Sequence, residues 1–143
     1  MRLWATGIAV LAVRQMDGEI AAMTVNSVTS VSLDPMLVLV CIHKDGMIMP
    51  HLREAPIFSL SFLNANQQDL SDYFAKRWQG DEPPNHRFVD WADGVRLGTC
   101  IGALAMKKHA IHEGGDHWIV VGDEASISRR LDSLVQKYGE SKR

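Results

Sequence analysis

Apolar positions in this chain come in short runs, each closed by a glycine, a proline or a cluster of polar residues. Gly7–Val13 is mostly apolar and leads into the turn-like Met16-Asp17-Gly18, and Glu19–Met23 resumes the run, so the two stretches predict a hairpin. Leu37–Ile42, LVLVCI, is apolar at every position and rich in β-branched residues, as a strand covered on both faces should be; it predicts the centre of the sheet. In Ile57–Leu63, IFSLSFL, Phe58, Leu60 and Phe62 alternate with Ser59 and Ser61, which predicts a strand with one buried and one polar face.

Between and after these runs the pattern suits helices and turns. Pro50–Ala55 predicts a short helix with proline in its first turn, stopped by Pro56. Asn66 can cap a second helix, with Asp69 in its first turn, Leu70, Tyr73 and Phe74 on one face and an end near Trp78. Gln79–Arg87, with a glycine and two prolines, predicts a loop. Met106–His112 and His117–Gly122 predict two strands joined by Glu113-Gly114-Gly115-Asp116, a hairpin that would set His112 and His117 close together. From Ser126 onwards Ile127, Leu131, Leu134, Val135 and Tyr138 follow helical spacing, which predicts a C-terminal helix over about 126–138.

With 143 residues and no internal repeat, residues 1–143 predict a single domain, and short strands with two or three short helices favour a small β-barrel or sandwich. Charged residues are 22% of the chain and the net charge is −2, so the basic excess that holds a phosphate backbone is missing and nucleic acid is not expected as a partner. No apolar run approaches the roughly eighteen residues of a membrane span, and the start, LWATGIAVLAV, carries no small-residue cleavage signature, which points to a cytoplasmic protein with no membrane contact. Cys41 and Cys100 have no metal-binding spacing and cannot build a disulfide scaffold.

Candidate chemistry concentrates in Thr24–Leu33, where five hydroxyl side chains and an asparagine lie beside the most apolar run of the chain. A hydrolytic serine is poorly supported, because no GxSxG elbow is present. For a metal, His109, His112 and His117 with Glu113 and Asp116 supply donor types, but residues three apart on a strand point to opposite faces, so only His112 and His117 would converge; no metal is expected. The third reading is a hydrogen-bonding wall. In an extended segment Thr24, Asn26, Ser30 and Ser32 share one parity, with Val25, Val31 and Leu33 on the other. Such a row of neutral donors and acceptors suits a ring edge or a ribityl chain, with Lys44 placed to meet a phosphate; a solvated strand edge is the plainer alternative.

Met23–Ile42, MTVNSVTSVSLDPMLVLVCI, closely resembles the GMTVNSFTSVSLDPPLVLVCI pattern of the flavin reductase-like domain family, with Ala22 in place of the initial glycine. Glu113–Gly122, EGGDHWIVVG, resembles the family's second signature, EGGDHxIVVG, and FVDW at Phe88–Trp91 lies between the two. The resemblance covers roughly residues 5–122. It implies a mainly β fold, the FMN-binding split barrel: a six-stranded antiparallel, Greek-key split β-barrel that forms a homodimer with flavin near the interface. It implies an NAD(P)H-dependent flavin reductase using FMN or FAD with NADH or NADPH, which passes reduced flavin by diffusion to a flavin-dependent monooxygenase. By similarity Thr24, Val25, Asn26, Ser27, Ser30 and Ser32 line the flavin site. Cys41, Ile42, His43 and Lys44 run past the ribityl-phosphate, Phe74 and Ala75 contact flavin from a helix, and His117 stands beside the nicotinamide as the catalytic residue.

Hydride transfer between two bound cofactors requires stacking and hydrogen bonds to the flavin edge rather than a strong acid or base, which agrees with a motif rich in hydroxyls and poor in carboxylates. The family pattern after Cys41 usually has small hydroxyl residues and a threonine before the proline, whereas this chain has HKDGMIMP over His43–Pro50. That loss of phosphate donors leaves a non-catalytic flavin-binding member as one alternative; a reductase that uses flavin as carrier to another acceptor is a second, separate one.

Overall fold

The computed structural model describes residues 7–127. Eleven elements follow one another: β1 (Ala9–Arg14), β2 (Ile20–Val25), β3 (Thr29–Leu33), β4 (Met36–His43), α1 (Met49–Glu54), β5 (Ile57–Phe62), α2 (Gln68–Phe74), β6 (Phe88–Trp91), β7 (Gly94–Leu97), β8 (Gly102–Gly114) and β9 (His117–Ile127). The fold is mainly β. Seven strands form one antiparallel sheet in the order β2-β1-β5-β8-β9-β4-β3, and β6 and β7 form a separate hairpin. The main sheet thus holds seven strands instead of the expected six, and it is not closed into a barrel by hydrogen bonds between its edges.

Connectivity nevertheless forces the sheet to curl. Its two edge strands, β2 and β3, are consecutive in the chain and joined only by residues 26–28. Laid flat, strands six positions apart would be about 29 Å from one another. The link from Val25 to Thr29 reaches at most about 14 Å. The sheet therefore rolls until its edges nearly meet, and the roll encloses Leu11, Val40, Ile42, Leu52, Phe58, Leu60, Met106 and Val120.

A second, smaller core lies outside the roll, where α2 and the β6–β7 hairpin cover β1 and β5: Val10, Leu70, Leu97, Cys100 and Ala103 are buried there. This explains why β5 departs from the predicted half-polar strand. Ser59 and Ser61 are fully buried, and Ser61 Oγ accepts the Leu97 backbone N–H at 3.0 Å, because β7 crosses the face that the alternation assigns to water.

The β1–β2 hairpin, α1 and the β8–β9 hairpin follow the predictions, with Gly115 in the left-handed conformation (φ 67°) that the two-residue connection requires. Other expectations are corrected. The centre of the sheet is β8; β4 lies next to the edge, with Val38, Val40 and Ile42 in the core and Leu37, Leu39 and Cys41 only half-buried. Helix α2 is capped at Gln67 rather than Asn66; Gln67 takes the Asn64 N–H on Oε1 and donates from Nε2 to Thr99 O, which fastens the start of the helix. It ends at Phe74 rather than near Trp78, because Lys76 turns left-handed (φ 60°) while the Lys76 and Arg77 amides close back on Tyr73 O and Asp72 O. Ser126 and Ile127 belong to β9, and the rest of the predicted C-terminal helix lies outside the described residues.

Candidate functional site

Ser27 lies in the link between β2 and β3. The β3–β4 pairing runs Ser30 against Val38 and Thr29 against Leu39, and the same register sets residue 27 opposite Cys41. There the side chain takes the place of a strand backbone: Ser27 Oγ accepts the Cys41 N–H and donates to Cys41 O, both at 3.1 Å. Thr24, at the end of β2, donates from Oγ1 to Ser71 O of α2 at 2.7 Å. Two hydroxyls of the polar stretch are thus committed to the protein, one sealing the roll and one tying the edge strand to the helix that ends in Phe74 and Ala75.

The remaining residues of that stretch divide by face. Val25 and Ile42 turn their side chains into the core, so only their backbone can meet a ligand. Asn26 and Ser30 are exposed and Ser32 is half-buried on the edge strand. The parity predicted for a single extended segment fails, because residues 26–28 separate β2 from β3 and the register shifts between Ser30 and Ser32; Val31 and Leu33 are exposed, Leu33 to 81%.

A second group gathers where the end of β4 meets the β8–β9 turn. His43 pairs with His117 in the β4–β9 ladder, and their rings meet edge to face with centroids 5.1 Å apart. The partner of His117 is therefore His43, not the anticipated His112, which pairs with Ile119 further along the hairpin. Asp116 lies between the two imidazoles: its Oδ1 is 2.7 Å from His117 Nδ1 and its Oδ2 is 3.8 Å from His43 Nε2. The hydrogen bond and charge of His117 hold the Asp116 carboxyl below its ordinary value. Among the described residues no cluster of three or more His, Cys, Asp or Glu side chains is arranged to hold a metal ion.

Lys44 is less free than the sequence suggests. Its Nζ is paired with Glu113 Oε1 at 2.9 Å and lies 4.8 Å over the Trp118 ring, whose other cationic neighbour is Arg53 of α1. Asp45 points to water, with its side chain 93% exposed. Sequence reasoning missed Lys76, which follows Ala75 and brings its Nζ to 3.6 Å from Met47 Sδ, in the very segment that lacks the hydroxyls. It missed Ser71 and Trp118 as well, and the pairing of Glu113 with Lys44; only the packing of α2 on β2 and the register of distant strands, both invisible in one dimension, could have joined these residues to Thr24 and Lys44. Phe74 packs in an aromatic group with Tyr73, His86 and Phe88 and helps to line a cavity of about 530 Å³ with Lys76 and Ala22.

The arrangement is that of a rolled antiparallel sheet in which two distant stretches, Leu37–His43 and His117–Asp123, are hydrogen-bonded neighbours that end together in the two imidazoles, while the hydroxyl and amide groups come from the adjoining stretch Thr24–Ser32. The same architecture occurs in flavin reductases: the styrene monooxygenase flavin reductase of Pseudomonas putida S12 superposes with a TM-score of 0.79 at 32% identity, covering 88% of this chain and 82% of that one. The chain belongs to the flavin reductase like domain family, whose model matches residues 1–136. An NADH-dependent FAD reductase of Streptomyces globisporus is 38% identical over 129 residues, covering 87% of this chain and 70% of the relative. The reductase component of 4-hydroxyphenylacetate 3-monooxygenase from Thermus thermophilus is 34% identical over 139 residues, covering 92% and 84%. Against other relatives the chain spans as little as 38% of their length.

Proposed function

We propose that this chain is a single-domain, split-barrel NADH-dependent flavin reductase that reduces FAD or FMN and releases reduced flavin to a flavin-dependent monooxygenase in the cytoplasm. The observation that carries the reading is the adjacency of the two signature stretches across β4 and β9, with Ser27 and His117 at the two ends of one short run of backbone, Cys41–His43. When bound, flavin and nicotinamide supply the hydride transfer themselves. The protein has to hold the two rings at reacting distance and keep water out. Neutral groups suit that role. Asn26 and Ser30, exposed, and Ser32, half-buried, bring polar groups without charge to the edge, and Phe74 and Ala75 supply an apolar surface. His117 meets the nicotinamide. Lys76 compensates for the lost hydroxyls by bringing a cation to the flavin phosphate, beside a Lys44 already engaged by Glu113.

The site is completed in a homodimer. On β4 and β9 the face turned away from the core is apolar and only half-buried, with Leu37, Leu39 and Cys41 beside Ile119 and Val121, and its rim carries His43 and His117. A second copy is the cover that such a sheet face calls for. Replacing Leu39 and Val121 with lysine should convert the dimer to monomer in sedimentation velocity; an unchanged dimer would move the interface elsewhere.

The deciding assay is oxidation of NADH and NADPH with and without FMN, FAD or riboflavin. Flavin-stimulated oxidation of NADH supports the proposal. Flavin binding without turnover would mark a non-catalytic member, and the absence of any binding at millimolar flavin would overturn the site.

A further inference from the structure

If His117 stands beside the nicotinamide, as proposed above, the ring nitrogen it presents is decided by its neighbours. Asp116 is ionised and can only accept hydrogen bonds. Its Oδ1 lies 2.7 Å from His117 Nδ1, so that nitrogen carries the proton and the Nε2 of the neutral ring holds the lone pair. His43 is set in the opposite sense. Its Nδ1 receives the Asp45 backbone N–H at 3.1 Å and so holds a lone pair, which places its ring proton on Nε2, facing Asp116 Oδ2 at 3.8 Å. One carboxylate is therefore hydrogen-bonded by the His117 N–H and faced, at 3.8 Å, by the N–H of His43. The other charges around the group are Asp45, whose Oδ2 is 3.7 Å from His43 Nδ1, and the Lys44–Glu113 pair that braces the same hairpin.

We propose that Asp116 and His43 are positioning residues that lock His117 as the Nδ1–H tautomer and keep its Nε2 lone pair free for an N–H donor of the dinucleotide, such as the nicotinamide carboxamide. The opposite tautomer would set N–H against N–H and misplace the ring that donates hydride. His43 places its Nε2 3.8 Å from the far oxygen of the carboxylate, and its ring against His117 limits how far the imidazole can rotate. The triad is assembled by the sheet itself, since His43 and His117 are directly paired and Asp116 is the last residue of the turn.

The test is the imidazole ¹⁵N spectrum of labelled protein at alkaline pH, with the His117 signals assigned by their loss in His117→Ala. Wild type should show His117 protonated at Nδ1, and Asp116→Ala should relax it to the mixture of a free imidazole. With orientation lost, kcat/KM for NADH should fall about ten- to hundredfold, as when comparable orienting partners are removed. Flavin affinity should change less than twofold, and Asp116→Glu should recover part of the loss. His43→Phe, which keeps a ring but removes the Nε2 proton, should show a smaller loss with the same tautomer drift. Because the Asp116 side chain is 78% exposed, these variants should fold normally, which far-UV circular dichroism checks. A wild-type His117 protonated at Nε2 would overturn the proposal, and so would a tautomer that ignores Asp116→Ala or one that drifts with no effect on kcat/KM. If His117→Ala itself left turnover intact, the nicotinamide reading would fall and the functional half of the proposal with it, while the spectrum would still report whether the lock exists.

Discussion

Replacing Ser27 by alanine tests whether a side chain closes the rolled sheet. Ser27 Oγ is bonded to both the N–H and the C=O of Cys41, and these two groups point away from β9, into the gap where β3 has ended. Each bond contributes about 1 kcal/mol net, and in this half-buried position water replaces them only in part, so the variant should lose about 2 kcal/mol of stability. With a urea slope of about 1–3 kcal/mol/M, the unfolding midpoint should drop by about 1 M. A sharper readout is hydrogen exchange at the Cys41 amide. Its partner is the Ser27 hydroxyl, so exchange by local opening should accelerate about 30-fold in Ser27→Ala, while the Val40 and Ile42 amides follow only the global loss. Ser27→Thr keeps the hydroxyl and should stay near wild type. Unchanged protection at Cys41, or a stability loss under about 0.5 kcal/mol, would show that the serine is not the closure.

Three further outcomes follow from the geometry. Lys76 sits at the left-handed residue that ends α2, so Lys76→Gly should raise stability by about 1 kcal/mol in urea unfolding while weakening FMN more than riboflavin in equilibrium titration. A Cβ added at Gly122 would lie 2.8 Å from Met106 Cβ and 2.9 Å from Phe58 Cζ, so Gly122→Ala should cost about 1–3 kcal/mol by overpacking; a neutral result would mean that the two side chains yield freely. Asp116 has a folded pKa below its unfolded value, so its contact with His117 is fully present above the ordinary carboxylate value of about 3.9 and is lost as pH falls through the lowered one. A carboxyl ¹³C titration should place Asp116 below the ordinary carboxylate value, and a midpoint at or above it would refute the contact.

How much of the molecule is legible in one dimension varies with the kind of contact. Strand alternation and the glycine-bearing turn locate the β8–β9 hairpin, because local pattern and local geometry coincide there. The β6–β7 hairpin escapes a reading of the sequence: its turn uses Ala92 and Asp93 at φ 50° and 62°, so the Asp93-Gly94 pair that would mark such a turn sits one residue late, with Gly94 already paired to Trp91 in β7. Ser59 and Ser61 alternate like a wet face, yet lie under β7, since whether a small polar residue is covered depends on which distant strand arrives. Leu37–Ile42 reads as central because both of its faces are apolar; one packs in the core and the other is only half-buried, a distinction that hydrophobicity alone does not make. At the site, the residue types in Met23–Ile42 and Glu113–Gly122 reveal the family, but the commitment of Ser27 and Thr24 to the protein, and the meeting of His43 with His117, depend on register.

The three-residue link between β2 and β3 looks, as sequence, like any short polar connector, the kind of place where insertions are normally tolerated. Here its length is a dimension of the molecule. Two or three added residues would leave every strand pairing intact and still let the roll open by about 7–10 Å, parting Ser27 from Cys41 and the polar stretch from the β4 edge. Tolerance to insertion should therefore be lowest at a connector, and variation in chain length confined to other turns, such as the one between β1 and β2.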